Sequence, residues 1–588
     1  MISVAIPTRR GLLVAREPPS VHEAAFCRDG GRISRQMNRR AFLTLSGACA
    51  GAGLPLAPFA RLLAQTRAER PGPVVTTAGG RVRGVSDGAV RIFRGVPYGA
   101  STAGANRFQP PRAAAPWTGV RDAGSYGWRA FQPLRPMIPE IGDALTGSGP
   151  MSEDCLRLNV FTPGTNGRRP VMVWFHGGGQ RTGSGNSIFY DGRELARQHD
   201  VVVVTTTHRL NAFAYLWLAG LPGTGSLFAD CVNLGLRDLV LALEWVRDNI
   251  ARFGGDAGNV TIFGQSGGGG KTAMLTAFPA ARGLFHRAII MSTLAETAVR
   301  GLRPDRATEA AELLLRRLDV QPAQAARLLA MPAERVINAL SNGPDLSLRF
   351  VPVVDGATLP ADPFSPASPV SATVPILTGS NECEGIPYGN PDDPYWQSEP
   401  EHDAALRARL QQLVPMSDAD TTSLVALYRS HRAGQTAADL AAVIAGDVSD
   451  LRSAAFAIAE AKHAQGRAPV YLYRFNWRSP LRGGRLRSMH GMELPFVFAH
   501  PDTIGFLTGM GADRYQLARD MSAAWVAFAR TGNPNHRGIP QWDAWTPARW
   551  TTMVFDQATT AVDDPWGEER RAVARARAQR STPETRQG

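Results

Sequence analysis

The stretch that most constrains the fold is residues 259–275, NVTIFGQSGGGGKTAML, where one serine stands among five glycines. Val260-Thr261-Ile262-Phe263 is a β-branched and aromatic run, as a strand requires, and residues 271–277 can continue as helix. Between them Gly264-Gln265-Ser266-Gly267-Gly268 satisfies Gly-x-Ser-x-Gly. A serine on a sharp strand-to-helix turn sits in strained backbone, and neighbours larger than glycine clash there. Such a turn exists only where a buried strand feeds a helix packed on its sheet, so it demands an α/β architecture. The rival is a phosphate loop, which needs Gly, four residues, then Gly-Lys-Ser/Thr. Counting back from Gly270-Lys271-Thr272, the first glycine belongs at position 265, which is Gln265; Gly264 is one residue too early. The phosphate reading fails on spacing. In a chain with 60 glycines, however, the serine motif carries weight only with partners.

The surrounding pattern supplies the sheet. From 74 to about 117, short β-rich runs alternate with turn signals such as Ala78-Gly79-Gly80 and Asp87-Gly88. Residues 171–175 and 201–204 are continuous apolar runs, as expected of parallel strands covered on both faces. A helix is expected over 236–250, and further strands at 374–377 and 470–473. Residues 305–341 and 401–432 are rich in Ala, Leu and Arg and read as helical insertions over the sheet's edge. One large, mostly parallel sheet with helices on both faces is expected over residues 65–567, followed by a charged tail, frayed or helical, over 568–588.

An acyl-transfer serine needs oxyanion donors, a base and an acid that orients the base. The apolar run at 171–175 leads directly into His176-Gly177-Gly178-Gly179, where Gly178 and Gly179 can aim backbone N–H groups at one oxygen, joined by Gly267. The order serine, acid, histidine favours a late histidine as base, and His490 follows the strand at 470–473 and a polar loop. His176 belongs to the glycine loop, while His500 and His536 read as structural or exposed. For the acid, Glu382 and Glu384 both lie just past the strand at 374–377, and spacing does not choose between them.

These motifs together resemble the type-B carboxylesterase family of α/β-hydrolases. Phe253-Gly254-Gly255, four residues, then residues 260–268 resemble its serine signature, and Glu153-Asp154-Cys155-Leu156-Arg157-Leu158-Asn159-Val160 resembles its second. The likeness runs from Gly79 and Phe93-Arg94-Gly95-Val96-Pro97-Tyr98 through residues 525–534 to a strand at 549–556. The resemblance implies the α/β-hydrolase fold, hydrolysis of small-molecule carboxylic esters through an acyl-enzyme on Ser266, Glu384 as acid and His490 as base. It implies no metal or organic cofactor. A related lipase, lactonase or amidase is the nearest alternative. A non-catalytic member acting as an interaction protein would lack one of the three residues, and all three are present.

The chain departs from the family pattern in places. Gln265 and Gly267 stand where Glu and Ala are usual, and a neutral Gln265 removes a negative charge that would favour a cationic ester. Thr207-His208-Arg209 replaces the usual Asn-Tyr-Arg, and Ala214 stands where a glycine precedes Tyr215-Leu216. The family's partner cysteine for Cys155 is missing from Ala130-Phe131-Gln132.

Net charge is +13, but residues 1–64 hold nine Arg against three acidic residues, and residues from 567 on hold six Arg against three Glu. The body between carries only +4, and two lysines stand against 62 arginines in an Ala-, Gly- and Pro-rich chain. That is the bias of a GC-rich genome, and nucleic acid is excluded as a partner. No apolar run of about 20 residues suggests a stable membrane span. With Cys27 and Cys49 in the leader, Cys155, Cys231 and Cys383 form neither a readable disulfide framework nor a metal motif.

Met37-Asn38-Arg39-Arg40-Ala41-Phe42-Leu43-Thr44 reads as a twin-arginine export motif, followed by a Gly/Ala-rich stretch to about 59 and cleavage near Ala64. Residues 1–64 are therefore expected to be a leader, with Met37 as an alternative start. The twin-arginine machinery is the precursor's expected partner, and the mature chain is expected in the periplasm or outside the cell. Replacing Arg39 and Arg40 by Lys should hold the precursor inside the cell, scored by fractionation and immunoblotting; unchanged export refutes the motif.

Overall fold

Runs such as 171–175 are apolar at every position because both parities of the strand are buried. The computed structural model describes residues 69–579, except 134–136, 139–140, 148, 343–345, 391 and 414–415. The expected leader and the end of the tail lie outside the described residues. Among the described residues one sheet contains β1 (Arg70–Thr76), β2 (Arg81–Ser86), β3 (Arg91–Pro97), β4 (Val120–Asp122), β5 (Arg157–Thr162), β6 (Arg169–Phe175) and β7 (Val202–Thr207). It continues with β8 (Gly255–Gln265), β9 (Arg287–Met291), β10 (Ile376–Asn381), β11 (Val470–Phe475), β12 (Thr552–Phe555) and β13 (Thr560–Val562). The order is β1-β2-β3-β5-β7-β6-β8-β9-β10-β11-β12-β13, with β4 beside β2. In that order the strands from β7 to β12 are parallel, and the pairs at either end are antiparallel except β2 with β4, which is parallel.

Six helices matter for the argument: α1 (Leu234–Asn249), α2 (Gly267–Leu275), α3 (Pro304–Leu318), α4 (Asp450–Gln465), α5 (Asp513–Thr531) and α6 (Gly567–Gln579). Val171, Val173 and Phe175 join one core with Leu239 and Leu243 of α1, Leu314 of α3 and Ile458 of α4. Met172 and Trp174 join the other, with Trp525 of α5. There Trp174 meets Phe263 and Tyr190 at 4.8 Å and Phe498 at 5.1 Å between ring centroids. Each large side chain so buried contributes about 1.5–3 kcal/mol.

The expected strands at 260–263 and 374–377 are longer than read, ending in Gln265 and Asn381. The insertions form helices Ala333–Ser341, Asp403–Leu413 and Asp418–His431. The expected tail is more than a fringe. Its α6 sends Glu569, fully buried, onto Arg432, with His431 at 3.2 Å, so the packed body runs on past 567. Cys155, Cys231 and Cys383 are buried free thiols.

Arg209, just after β7, is buried against Asp238 of α1, with Nη2 2.6 Å from Oδ1 and its backbone N–H donating to Oδ2 at 3.1 Å. Removing the carboxylate leaves a guanidinium buried without its counter-ion, so Asp238→Ala should lose about 3–5 kcal/mol in denaturant unfolding. A loss under about 1 kcal/mol would place the pair with exposed ones that contribute little.

Candidate active site

The strand order brings two loops together. The chain leaves β6, forms β7 on one side and returns as β8 on the other, with Phe175 level with Gly264. The C-terminal ends of β6 and β8 are therefore neighbours at a topological switch point, where open α/β sheets bind ligands. The glycine loop at 176–179 and the serine turn open there side by side.

Ser266 caps α2 with φ +59° and ψ −128°, a left-handed value that few non-glycine residues adopt. Its N–H donates to the carbonyl of Met291 at the end of β9 (2.9 Å), and its carbonyl accepts from the Gly270 N–H (3.0 Å). The turn is closed by contact as well. A Cβ on Gly267 would lie 1.9 Å from the Gly179 oxygen, and one on Gly268 would lie 1.9 Å from the Phe175 oxygen. Among the described residues, the N–H groups of Gly178, Gly179 and Gly267 donate to no protein acceptor. All three residues line one cavity of about 1130 Å³ together with Ser266 and His490. Three unpaired donors beside a half-buried serine can stabilise a developing oxyanion.

The acid and the imidazole come from the loops after β10 and β11, which are adjacent and parallel. The pairing continues past the strands, where the Cys383 N–H donates to the Ser488 carbonyl at 3.2 Å. This leaves Glu384 Oε2 2.6 Å from His490 Nδ1. Burial works against the charge on Glu384, but the His490 charge and hydrogen bond, with Ser292 and the Asn381 N–H at 2.7 Å, hold its carboxyl below the usual range. Burial also works against a charged His490, yet Glu384, aided by Glu493, holds it above the ordinary imidazole value. Glu382 is turned away, with Oε2 3.1 Å from Arg478 and Oε1 3.6 Å from Arg474. Of the two carboxylates that spacing leaves open, geometry puts Glu384 on the imidazole. His500 Nε2 donates to the Phe189 carbonyl (3.1 Å), and His536 Nε2 lies 3.0 Å from the Asp520 carbonyl.

The Ser266 hydroxyl forms no hydrogen bond among the described residues. The Gln265 amide nitrogen instead lies 3.2 Å from His490 Nε2 and 3.4 Å from Nδ1. A donor in the ring plane on Nε2 would be far from Nδ1, so near-equal distances place the amide over the ring. The Nε2 edge stays open for the serine, in keeping with catalytic hydrogen bonds that close only around substrate.

Two buried charged residues beside the site escaped the sequence reading. Lys271 reads there only as the start of a helix, but it is fully buried, and its Nζ donates to the carbonyls of His176 (3.0 Å) and Gly179 (3.2 Å). Burial pulls its pKa down to about 7. It ties the glycine loop to α2. Above it the buried rings of His176 and His208 stack 4.7 Å apart, both kept neutral by burial and then by the Lys271 charge. The available signal was scarcity. The chain's other lysine, Lys462, is likewise buried on backbone carbonyls, at Ser371 (3.1 Å) and Ala372 (2.7 Å). Glu493, three residues beyond His490, is the second. It accepts from Asn381 Nδ2 at 2.5 Å, and burial, with the Glu384 charge, pushes its pKa to about 7.

A sheet of this order, with its chemistry collected on the loops after β6, β8, β10 and β11, is an α/β-hydrolase. The model of the carboxylesterase family matches residues 71–573, and the chain belongs to that family. It is 34% identical over 514 residues to para-nitrobenzyl esterase of Bacillus subtilis, covering 85% of this chain and 98% of that one. It is 34% identical over 522 residues to phenmedipham hydrolase of Pseudarthrobacter oxydans, covering 86% and 97%. Among solved structures, a Geobacillus stearothermophilus carboxylesterase aligns with a TM-score of 0.70 at 36% identity, over 85% of this chain and 99% of that one. The chain is a carboxylic ester hydrolase.

Gly268→Ala would drive a methyl into the Phe175 carbonyl at the root of the glycine loop and displace that loop from the serine. Its kcat on p-nitrophenyl butyrate should fall about 10²-fold, the scale of losing one oxyanion donor, with circular dichroism unchanged. A fall of less than about threefold would show that the loop yields freely, against a donor role that depends on its position.

Proposed function

We propose that the chain hydrolyses esters through an acyl-enzyme on Ser266, with His490 as general base and acid and Glu384 as its orienting carboxylate. The observation that carries this reading is the 2.6 Å contact of Glu384 Oε2 with His490 Nδ1 at the floor of the cavity that Ser266 lines. With Nδ1–H held by the carboxylate, the neutral imidazole presents Nε2 as the acceptor. Ser266 Oγ attacks the ester carbonyl as its proton passes to Nε2, and the oxyanion rests on the N–H groups of Gly178, Gly179 and Gly267. His490 then protonates the departing alcohol, and water, deprotonated by the same nitrogen, releases the acid from Ser266. No step calls on a metal or an organic cofactor. The proposal extends to export, on the strength of the Arg39-Arg40 motif, with the periplasm or the medium as the site of action.

A fluorophosphonate should label the mature protein at Ser266, and Ser266→Ala should abolish labelling and p-nitrophenyl ester turnover together. Glu384→Gln should reduce kcat by about 10⁴, as for the wrong tautomer of a triad histidine, and Glu382→Gln should reduce it far less. Because His490 must be neutral to act and its pKa lies above the ordinary 6.5, kcat/KM should rise with pH to a half-maximum above 6.5. Full turnover by the alanine variant sinks the assignment, and the reverse order of the two glutamine variants moves the acid to Glu382.

A further inference from the structure

The cavity is unevenly charged. Its floor holds Ser266 and His490, with half-buried Arg181 beside the glycine loop, and its mouth carries Arg300, Arg303, Arg306 and Arg349, all exposed. Two carboxylates, Glu296 and Asp362, share the lining, and Asp362 is engaged on both oxygens, by the Gly301 N–H (3.0 Å) and by Arg303 (2.6 Å). Arg306 pairs at 3.0 Å with Glu309 on its own helix. Arg300 and Arg349 have no carboxylate within 4.0 Å among the described residues, and neither guanidinium makes a hydrogen bond there.

The placement favours an anion at the mouth. Arg303 caps α3 and Arg306 stands in its first turn, where the helix's own positive end disfavours cations and welcomes anions. Residues 65–566 carry only +4 overall, so a mouth with two cations in excess stands out from its background. The cavity also lacks what a cationic ester would need. Gln265 is neutral, and Tyr388 is the one aromatic residue among the described lining, which is too little for a cation–π cage.

We infer that the cavity selects esters whose acyl chain ends in an anionic group, such as half-esters of dicarboxylic acids. Arg300 and Arg349 hold the distal carboxylate at the mouth while the ester carbonyl reaches Ser266. The inference rests on Ser266 as nucleophile, and it adds a substrate class to that reading. Paired, planar N–H donors suit a carboxylate better than any other common anion short of phosphate.

The test compares mono-p-nitrophenyl suberate, which ends in a carboxylate, with neutral p-nitrophenyl octanoate of the same acyl length. The wild type should favour the suberate in kcat/KM. The double variant Arg300→Gln/Arg349→Gln should lower the suberate-to-octanoate ratio about three- to tenfold, mainly through KM, the range for exposed charge pairs taken two at a time. Raising the salt to about 0.5 M should bring the wild-type ratio towards that of the variant, because exposed charges are screened. Arg168→Gln, an exposed arginine beside β6 and outside the cavity lining, should leave the ratio where it is. A ratio equal in the double variant and the wild type overturns the inference while the Ser266 reading stands. Failure of the wild type to cleave either ester in a Ser266-dependent way brings down the nucleophile assignment, and the anion preference with it.

Discussion

The site depends on how closely the end of β6 meets the start of α2. The Gly179 carbonyl lies against the Cα of Gly267, and the Phe175 carbonyl lies against that of Gly268, at distances that leave no room for a Cβ. That approach carries the N–H groups of Gly178 and Gly179 to the side of Ser266, because the loop cannot back away while Lys271 holds the carbonyls of His176 and Gly179 from below. The strain at Ser266, with φ at +59°, is borne by the same packing. The Met291 carbonyl fixes the serine's N–H, and the glycines remove every side chain that would push the turn open.

Lys271 shows how far this packing departs from ordinary burial. A lysine far from any carboxylate loses more by desolvation than carbonyl contacts return in its charged form, which is why its pKa falls to about 7. Neutral or charged, its nitrogen can still donate to two carbonyls, so the tether survives deprotonation. The neutral stack of His176 on His208 above it adds no charge. The result is a loop pinned by hydrogen bonds and close contact without an ion pair beneath it.

Much of this was legible in the chain. The elbow, the glycine loop and His490 are contiguous motifs, and strand parity is written in runs such as 171–175, where every residue finds one of two cores. Spacing alone did not choose the acid, because Glu382 and Glu384 are two residues apart on one loop, and only the family resemblance pointed to Glu384. Their separation depends on Arg474 and Arg478, nearly a hundred residues on, which draw Glu382 away and leave Glu384 to the imidazole. Lys271 and Glu493 escaped for a similar reason: burial of a charged side chain is a property of what packs over it. The tail's helix was among the expected outcomes, but the burial of Glu569 on Arg432 is again a property of what packs over it.

Charge in the finished site is layered by depth. At the floor, Glu384 and Glu493 are buried around His490, and both favour a protonated imidazole, which is the form produced as Ser266 attacks. At the mouth the excess is positive and exposed. An anionic group on the substrate is therefore attracted to the mouth, which favours entry with the ester end first. A cationic ester would meet the same excess of positive charge at the mouth and be held off. Neutral Gln265, lying over the imidazole where this family usually carries a glutamate, withholds the negative charge that would favour such an ester at the point nearest the reacting atoms. The departure in the signature and the arginines at the mouth thus act on the same discrimination from opposite ends of the cavity.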